Sequence, residues 1–573
     1  MIMTEMQKYQ LWCDKNLEDK DVVADLEQVK GNQEEIFDRF YRELDFGTAG
    51  LRGVLGAGTN RMNIYTIRKA TQGFANYLIN NNKSKGIAIA YDSRIKSDIF
   101  AKEAACVLAA NGIKVYLYKE LMPTPSLSFA VRDLHCDAGI VVTASHNPAK
   151  YNGYKVYGSD GCQLDVADAD EVFHEIVKLD IFSDIKLIGF ESAMSTGLIE
   201  YIGEDLIDRY LEAVKAQEII PGVCEKANLK VVYTPLNGAG NRCVREILKR
   251  IGVSDVTVVK SQEMPDGNFP TCPFPNPEIR EALNEGLKVC EEVGPDLLLA
   301  TDPDCDRVGI AVKDGDDYRL FSGNEVGALL LEFICKVRTE NGTMPKDPIA
   351  VKSFVSTSIV DKIAAEYGVQ VINVLTGFKY IGQQILALEK KCEQNRYILG
   401  FEESYGYLAG SYVRDKDAVN GSMLICEMAA YYKLQGLTLV DALEKLYDKY
   451  GKYLHKIGNY ACEGAAGMER MKQIMGDLRA NVPASIGGYQ VVWFSDYTTS
   501  VKKNLLTGEE VAITLPKSDV LAYDLTDNLG VIIRPSGTEP KIKVYYTSVG
   551  KTWEEAEGMQ EKMAADMNRM MGF

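Results

Sequence analysis

Short apolar runs of four or five residues alternate along most of this chain with longer stretches in which apolar positions recur every three to four residues. The first clear round begins after Gly86. It has an apolar run at Ile87–Ala90, an amphipathic stretch from Ser97 to Asn111, a run at Val115–Tyr118 and another at Ile140–Val142. Period-two or wholly apolar runs joined by period-3.6 segments predict βαβ units with parallel strands. The alternation restarts at Leu229–Tyr233, continues through a helical stretch Arg242–Arg250 and a strand Val256–Val259, and reaches Leu297–Ala300. A third round runs through Ala350–Phe354, Ile359–Tyr367, Val369–Val374 and Tyr397–Leu399. The last hundred residues differ, with strand-like runs at Tyr489–Phe494, Val531–Ile533 and Ile542–Tyr546 and a closing helix from Trp553. The opening fifty residues carry helical spacing and then break into Phe46-Gly-Thr-Ala-Gly-Leu-Arg-Gly53, whose glycine density predicts a loop. The expected fold class is α/β: three doubly wound, mixed-sheet α/β domains and a smaller C-terminal α+β domain. The boundaries are placed at 1–205, 206–320, 321–455 and 456–573.

Length agrees with this division, because 573 residues exceed what one hydrophobic core serves. A formal charge of −17 argues against nucleic acid or an anionic membrane as partner. The N-terminus has no apolar core followed by a small-residue cleavage site, and no run of about 18 apolar residues occurs elsewhere. Thirteen cysteines, an odd number without paired CxxC spacing, point to a reducing, cytoplasmic setting, and four histidines make a His-rich zinc site a poor expectation.

Four loops carry candidate chemistry. Thr143-Ala-Ser-His-Asn-Pro148 follows the strand Ile140–Val142 and presents Ser145 at a strand's carboxyl end, where ligands gather in open parallel sheets. A serine hydroxyl there can carry a phosphate covalently; read alone, the segment is a Ser/Asn/Pro turn before a helix. Asp302-Pro-Asp-Cys-Asp-Arg307 places three carboxylates at alternate positions. Packed together they need a cation between them, and an all-oxygen set points to a hard ion such as Mg²⁺; read alone, the segment can also be a solvated acidic loop. Calcium of the EF-hand kind is excluded by Arg307 and Lys313, which stand where that loop needs Gly and Glu. Gly400-Phe-Glu-Glu-Ser-Tyr-Gly406 offers acceptors and a donor suited to sugar hydroxyls, though read alone it is a solvated helix N-terminus. Arg534-Pro-Ser-Gly-Thr-Glu-Pro-Lys541 can clamp a phosphate or can be an ordinary β-turn. Gly238-Ala-Gly240 resembles the start of a dinucleotide fingerprint, but Cys243 stands at the third small position, so close helix packing is expected instead.

In this order the four loops resemble those of the α-D-phosphohexomutase superfamily, which includes phosphoglucomutases, phosphomannomutases and phosphopentomutases, and the resemblance spans nearly the whole chain. Leu44-Asp-Phe-Gly-Thr-Ala-Gly-Leu-Arg-Gly53 and Gly56-Ala-Gly-Thr-Asn-Arg-Met62 resemble the branch holding bacterial phosphoglucomutases and the phosphoglucomutase-2 type of phosphopentomutase. Asn237 departs from it, since relatives in that branch often carry His there. The resemblance implies four domains around a central cleft, a mobile last domain, and an intramolecular phosphotransferase of the isomerase class. It implies that Ser145 carries the phosphate, with Mg²⁺ held by Asp302, Asp304, Asp306 and the Ser145 phosphate. His146, Lys155 and Arg52 become catalytic candidates; Lys155 is the first choice of base, because a lysine crowded by cations has a lowered pKa. Substrate contacts fall to Arg307, Lys379 in Thr376-Gly-Phe-Lys-Tyr-Ile381, Glu402, Ser404, Arg534, Ser536, Gly537 and Thr538. The expected substrate is glucose 1-phosphate or 6-phosphate, with glucose 1,6-bisphosphate as intermediate and activator, in a monomer or homodimer. Ribose, deoxyribose and mannose phosphates are alternatives, and glucose 1,6-bisphosphate synthesis is a more distant one. A catalytically silent sugar-phosphate binder would have no physical need for Ser145, all three aspartates and Arg307.

Overall fold

The computed structural model describes residues 3–47, 50–462, 467–536 and 541–573. The chain forms two compact units, one of Met1–Val351 with Gly377–Leu439 and the other of Lys352–Thr376 with Val440–Phe573.

The first unit holds two mixed sheets. One is built from β1 (Gly50–Val54), β2 (Ile87–Tyr91), β3 (Val115–Tyr118), β4 (Ala138–Val142), β5 (Tyr151–Gly158) and β6 (Ile199–Ile202), in the order β1-β5-β4-β2-β3-β6. Strands β4, β2 and β3 are parallel, as the alternation predicts; β6, which it does not predict, lies parallel to β3, whereas β5 and β1 are antiparallel additions. β2 and β4 are buried along their whole length, which accounts for their unbroken apolar runs. Burying each such Val or Ile side chain contributes about 1.5–3 kcal/mol, so the strand ends are firmly held.

The glycine-rich run is not wholly a loop, because its second half is β1. A Cβ at Gly50 would stand 2.0 Å from the Tyr154 carbonyl oxygen, so glycine here permits close strand pairing. Gly50 faces Lys155 in this register, and Arg52 faces Gly153.

The other sheet comprises β7 (Lys230–Thr234), β8 (Asp255–Val258), β9 (Leu297–Thr301), β10 (Val308–Asp314) and β11 (Asp317–Phe321), in the order β11-β10-β9-β7-β8. Again the core strands β7, β8 and β9 are parallel and the last two antiparallel. In both sheets the chain order reverses beside the first parallel strand, between β2 and β4 and between β7 and β9. A crevice opens at the carboxyl ends of such a pair. The Ser145 loop follows β4 and the Asp302 loop follows β9, so both candidate loops lie at these reversals.

The first unit also contains the hairpin Tyr397–Glu402 with Gly406–Leu408 and the buried helix Ala418–Lys433. The second unit contains the helix Ile359–Tyr367, the strand Gln370–Val374 and a largely antiparallel C-terminal sheet. The strands Leu521–Leu525, Gly530–Pro535 and Lys541–Gly550 and the helix Trp553–Met571 belong to this α+β part. Among the described residues no helix is long and apolar enough to cross a membrane. All thirteen cysteines are free.

Candidate functional site

Ser145 sits in the left-handed region at φ 52°, unusual for a residue other than glycine, in the loop leaving β4. Its N–H donates to Thr143 Oγ1 at 2.8 Å, and its Oγ lies 2.9 Å from Asp302 Oδ2 and 3.1 Å from His146 Nδ1. Arg94, just beyond β2, holds this loop from behind. Its buried guanidinium donates to the carbonyls of Ser145 (2.5 Å), Pro148 (3.1 Å), Tyr151 (3.0 Å) and Asn147, with Asp92 as its counter-ion. The loop runs into strand β5, not into a helix.

Asp302, Asp304 and Asp306 converge, each with one carboxylate oxygen within 4.8 Å of the others', and all three are buried. Asp302 Oδ1 accepts the N–H groups of Asp306 (3.1 Å) and Arg307 (3.0 Å), which curls the loop around it. Asp304 Oδ2 accepts from Thr124 Oγ1 and Lys155 Nζ, each at 3.1 Å. Lys416 Nζ lies 2.6 Å from Asp306 Oδ2. Asp304 Oδ1 and Asp306 Oδ1 are buried without a hydrogen-bond partner. Two orphaned anionic oxygens in one buried cluster are costly unless a cation meets them, so the donor set fits a hard divalent ion.

The electrostatics agree. Burial, then the neighbouring Asp304 and Asp306, push Asp302 well above the usual carboxylate range; burial, then Asp304, push Asp306 up. Asp304 is held low against its burial, chiefly by Lys155. The cluster therefore holds more negative charge than the protein alone stabilises.

Other predicted residues stand as follows. His146 is pushed down to about 2 by burial and then by Arg307 and Arg52, so its imidazole is neutral at physiological pH. Lys155, on β5, has Asp304 and Asp306 as close neighbours (3.1 and 3.8 Å), which are carboxylates and not the cations expected. Arg52 Nη1 is 3.3 Å from Asn147 Oδ1 in the Ser145 loop. Arg307 Nη1 pairs with Glu278 at 2.7 Å, and its Nε is 3.7 Å from Asp306. Glu402 is buried and raised to about 7, first by burial and then by Glu403, while its Oε1 accepts the Gly377 N–H at 2.6 Å. Ser404 is half-buried between Glu403 and Tyr405, and the Tyr405 carbonyl accepts the Val308 N–H at 3.1 Å, which joins this loop to the Asp302 loop. Lys379 is buried with an Nζ that has no hydrogen-bond partner, and burial lowers its pKa. Arg534 and Ser536 belong to the second compact unit, where Arg534 stands opposite Lys543 one residue before the end of the strand Gly530–Pro535. Gly537 and Thr538 lie outside the described residues.

Sequence reasoning missed Lys416, Thr124 and Arg94. Lys416 could have been noticed: Arg414-Asp-Lys-Asp417 is a run of four charges directly before the helix Ala418–Lys433, and all four are buried. Gly406 leaves room for the stem of Lys416, since a Cβ there would lie 2.4 Å from its Cδ. The Gly238-Ala-Gly240 turn serves packing, as expected. A Cβ at Gly238 would meet Pro303 Cα at 2.5 Å, and the Ala239 N–H donates to the Pro303 carbonyl at 2.8 Å.

Four family descriptions match in order along the chain. They are phosphoglucomutase/phosphomannomutase alpha/beta/alpha domain I at residues 43–180, domain II at 208–315, domain III at 322–450 and the C-terminal domain at 471–565. A phosphoglucomutase of Staphylococcus aureus is 38% identical over 523 residues, covering 91% of this chain and 91% of its own. One of Staphylococcus saprophyticus is 35% identical over 505 residues, covering 88% and 90%. Among solved structures, the phosphoglucomutase pp63/parafusin of Paramecium shares the fold with a TM-score of 0.67 at 17% identity, covering 93% of this chain and 97% of its own.

Proposed function

This chain belongs to the phosphoglucomutase/phosphomannomutase family, and on that premise we propose that it interconverts glucose 1-phosphate and glucose 6-phosphate through a phosphorylated Ser145. The observation that carries this reading is the Ser145 hydroxyl 2.9 Å from a buried triad of aspartates, two of whose oxygens have no partner. We take the domains as 1–205, 206–320, 321–455 and 456–573, each contributing one loop.

Asp302, Asp304 and Asp306, with the Ser145 phosphate, would hold Mg²⁺, which supplies charge compensation on the transferring phosphoryl group. A substrate hydroxyl attacks the phosphorus of phosphoserine, the bond to Ser145 Oγ breaks, and glucose 1,6-bisphosphate forms. Lys155 must give up its pairing with Asp304 and Asp306 as a neutral amine to take the hydroxyl's proton, and Ser145 Oγ is reprotonated. His146, neutral and touching Oγ through Nδ1, can hold or pass that proton. The bisphosphate then returns its other phosphate to Ser145, so the cycle conserves phosphate. Arg52 and Arg307 supply positive charge beside the transfer, and Lys379 has an ammonium free to meet a phosphate or hydroxyl. Glu402 and Ser404 read sugar hydroxyls. Arg534, Ser536, Gly537 and Thr538 grip the phosphate that is not transferred.

A carrier is chemically required because a direct shift would need attacking and leaving oxygens in line with phosphorus, which one compact ring cannot arrange. The test is peptide mass analysis after incubation with glucose 1,6-bisphosphate, together with a coupled assay across glucose, mannose, ribose and deoxyribose 1-phosphates. The phosphate is expected on Ser145, glucose 1-phosphate should be the preferred substrate, and Ser145→Ala should lose at least about a thousandfold in kcat. Phosphate on another residue would overturn the mechanism, and a preference for another sugar the substrate.

A further inference from the structure

A cavity of 910 Å³ lies within the first unit and shares no lining residue with the aspartate cluster. Its size falls within the range of small-molecule sites, roughly 300–1,000 Å³. One wall is Tyr91 and Lys119–Leu121, at the carboxyl ends of the parallel strands β2 and β3, where loops diverge and ligands find room. The facing wall is the helix Gly240–Arg250, which turns Arg242, Arg245 and Lys249 toward the space. Their spacing of three and four residues puts all three on one helix face.

Charge makes this cavity distinctive. Four cations line it against two carboxylates, Glu120 and Glu246, in a chain of net charge −17. Glu246 already accepts from Arg250 at 3.2 Å on the far side. Arg242 pairs with Glu204, and Arg245 with Glu263 at 2.8 Å, whereas the ammonium groups of Lys119 and Lys249 have no side-chain partner among the described residues. With Arg242 and Arg245 answered by glutamates, the positive charge left for an incoming anion is that of Lys119 and Lys249, both exposed along the open space. Beside the polar Asn241 and Ser254, the apolar Leu121, Val253, Val256 and Pro265 offer a surface for a planar group. The walls are fixed beforehand, since the Tyr91 hydroxyl donates to the Lys119 carbonyl at 2.9 Å and Ala239 is tied to Pro303.

We propose that this cavity binds a nucleotide, with the phosphates on Lys119, Arg242, Arg245 and Lys249 and the base against Leu121, Val256 and Pro265. The site is additional to the mutase reading and independent of it.

The experiment is calorimetric titration of the full chain with ATP in excess chelator, with glucose 1,6-bisphosphate present to occupy the phosphate sites of the catalytic centre. Inorganic tripolyphosphate is titrated in parallel. Saturable one-site binding of ATP is expected, weakened at least about tenfold in Lys119→Glu/Lys249→Glu, a variant that breaks no ion pair. Glucose 1-phosphate turnover should be unchanged in that variant. Tripolyphosphate should bind more weakly than ATP. Absence of saturable ATP binding, or binding that the double variant leaves intact, overturns the site; tripolyphosphate binding as tightly as ATP overturns the nucleotide assignment. Because the readout is binding, a chain without mutase activity would still answer the question.

Discussion

At the scale of single residues, the Ser145 loop shows how one buried cation substitutes for regular structure. Ser145 sits at a positive φ that costs on the order of 1 kcal/mol or more for a residue with a side chain. Locally it is held by the Thr143 hydroxyl and by the turn in which the Asn147 N–H donates to the Ala144 carbonyl at 3.2 Å. Arg94 does so from outside, by donating to four carbonyls spread over seven residues. A guanidinium can do this because its five N–H groups fan out in a plane, whereas an ammonium reaches fewer acceptors. Arg94→Lys keeps the charge facing Asp92 and should fold. Displacement of the nucleophile should lower kcat by roughly ten- to a hundredfold with little change in KM. Steady-state kinetics with glucose 1-phosphate check this, and an unchanged kcat would show that the loop does not need its clamp.

At the scale of elements, buried carboxylates mark the joints. Glu427 lies fully buried in the helix Ala418–Lys433, with Oε1 accepting the N–H groups of Ile219 (3.0 Å) and Ile220 (2.8 Å). Burial raises it to about 7. A carboxyl whose folded pKa exceeds its unfolded value binds more protons in the native state. Stability therefore falls as pH rises from the unfolded value near 4.5 to about 7, then levels off. Glu427→Gln removes that slope, so its melting temperature should change less than wild type between pH 5 and pH 8, a difference on the order of 1–3 kcal/mol. Equal pH dependence in both proteins would place the titration elsewhere. The same elements show what the sequence could reveal. The parallel strands other than β6 were legible because an all-buried strand is an unbroken apolar run, and both candidate loops were legible because they follow such runs; β6 was hidden because its two middle residues face solvent. β1 was hidden because its glycines, read as breakers, serve close pairing against Tyr154. β5 was hidden because six of the eight residues of Tyr151-Asn-Gly-Tyr-Lys-Val-Tyr-Gly158 are Tyr, Val or glycine in no clean alternation. Lys416, Thr124 and Arg94 act across 51 to 180 residues of chain, and no local pattern records such a meeting.

At the scale of the whole molecule, an acidic chain has gathered its cations where anions must be handled. Lys155 and Lys416 already contact the aspartate triad, yet two of its oxygens remain without partners. Binding a divalent ion should therefore stabilise the fold itself, since a ligand taken up only by the native state adds RT ln(1 + [L]/Kd). Saturating Mg²⁺ should raise the melting temperature by roughly 2 °C or more. Chelator should reverse the gain, and Asp304→Asn should abolish both the gain and most activity. A melting temperature indifferent to Mg²⁺ in the wild type would argue that the triad holds no ion.

The division of the chain into two compact units has a consequence for how the protein is made. The second unit draws on Lys352–Thr376 and on everything from Val440 onward. Contacts such as Lys449 with Glu366 and His455 with Thr357 join the two stretches. A ribosome adding about 5–20 residues per second delivers the first stretch several seconds before the second begins to emerge. During that interval Glu366 and Thr357 await Lys449 and His455, and within its own unit the helix Ile359–Tyr367 has only the strand Gln370–Val374 to pack against.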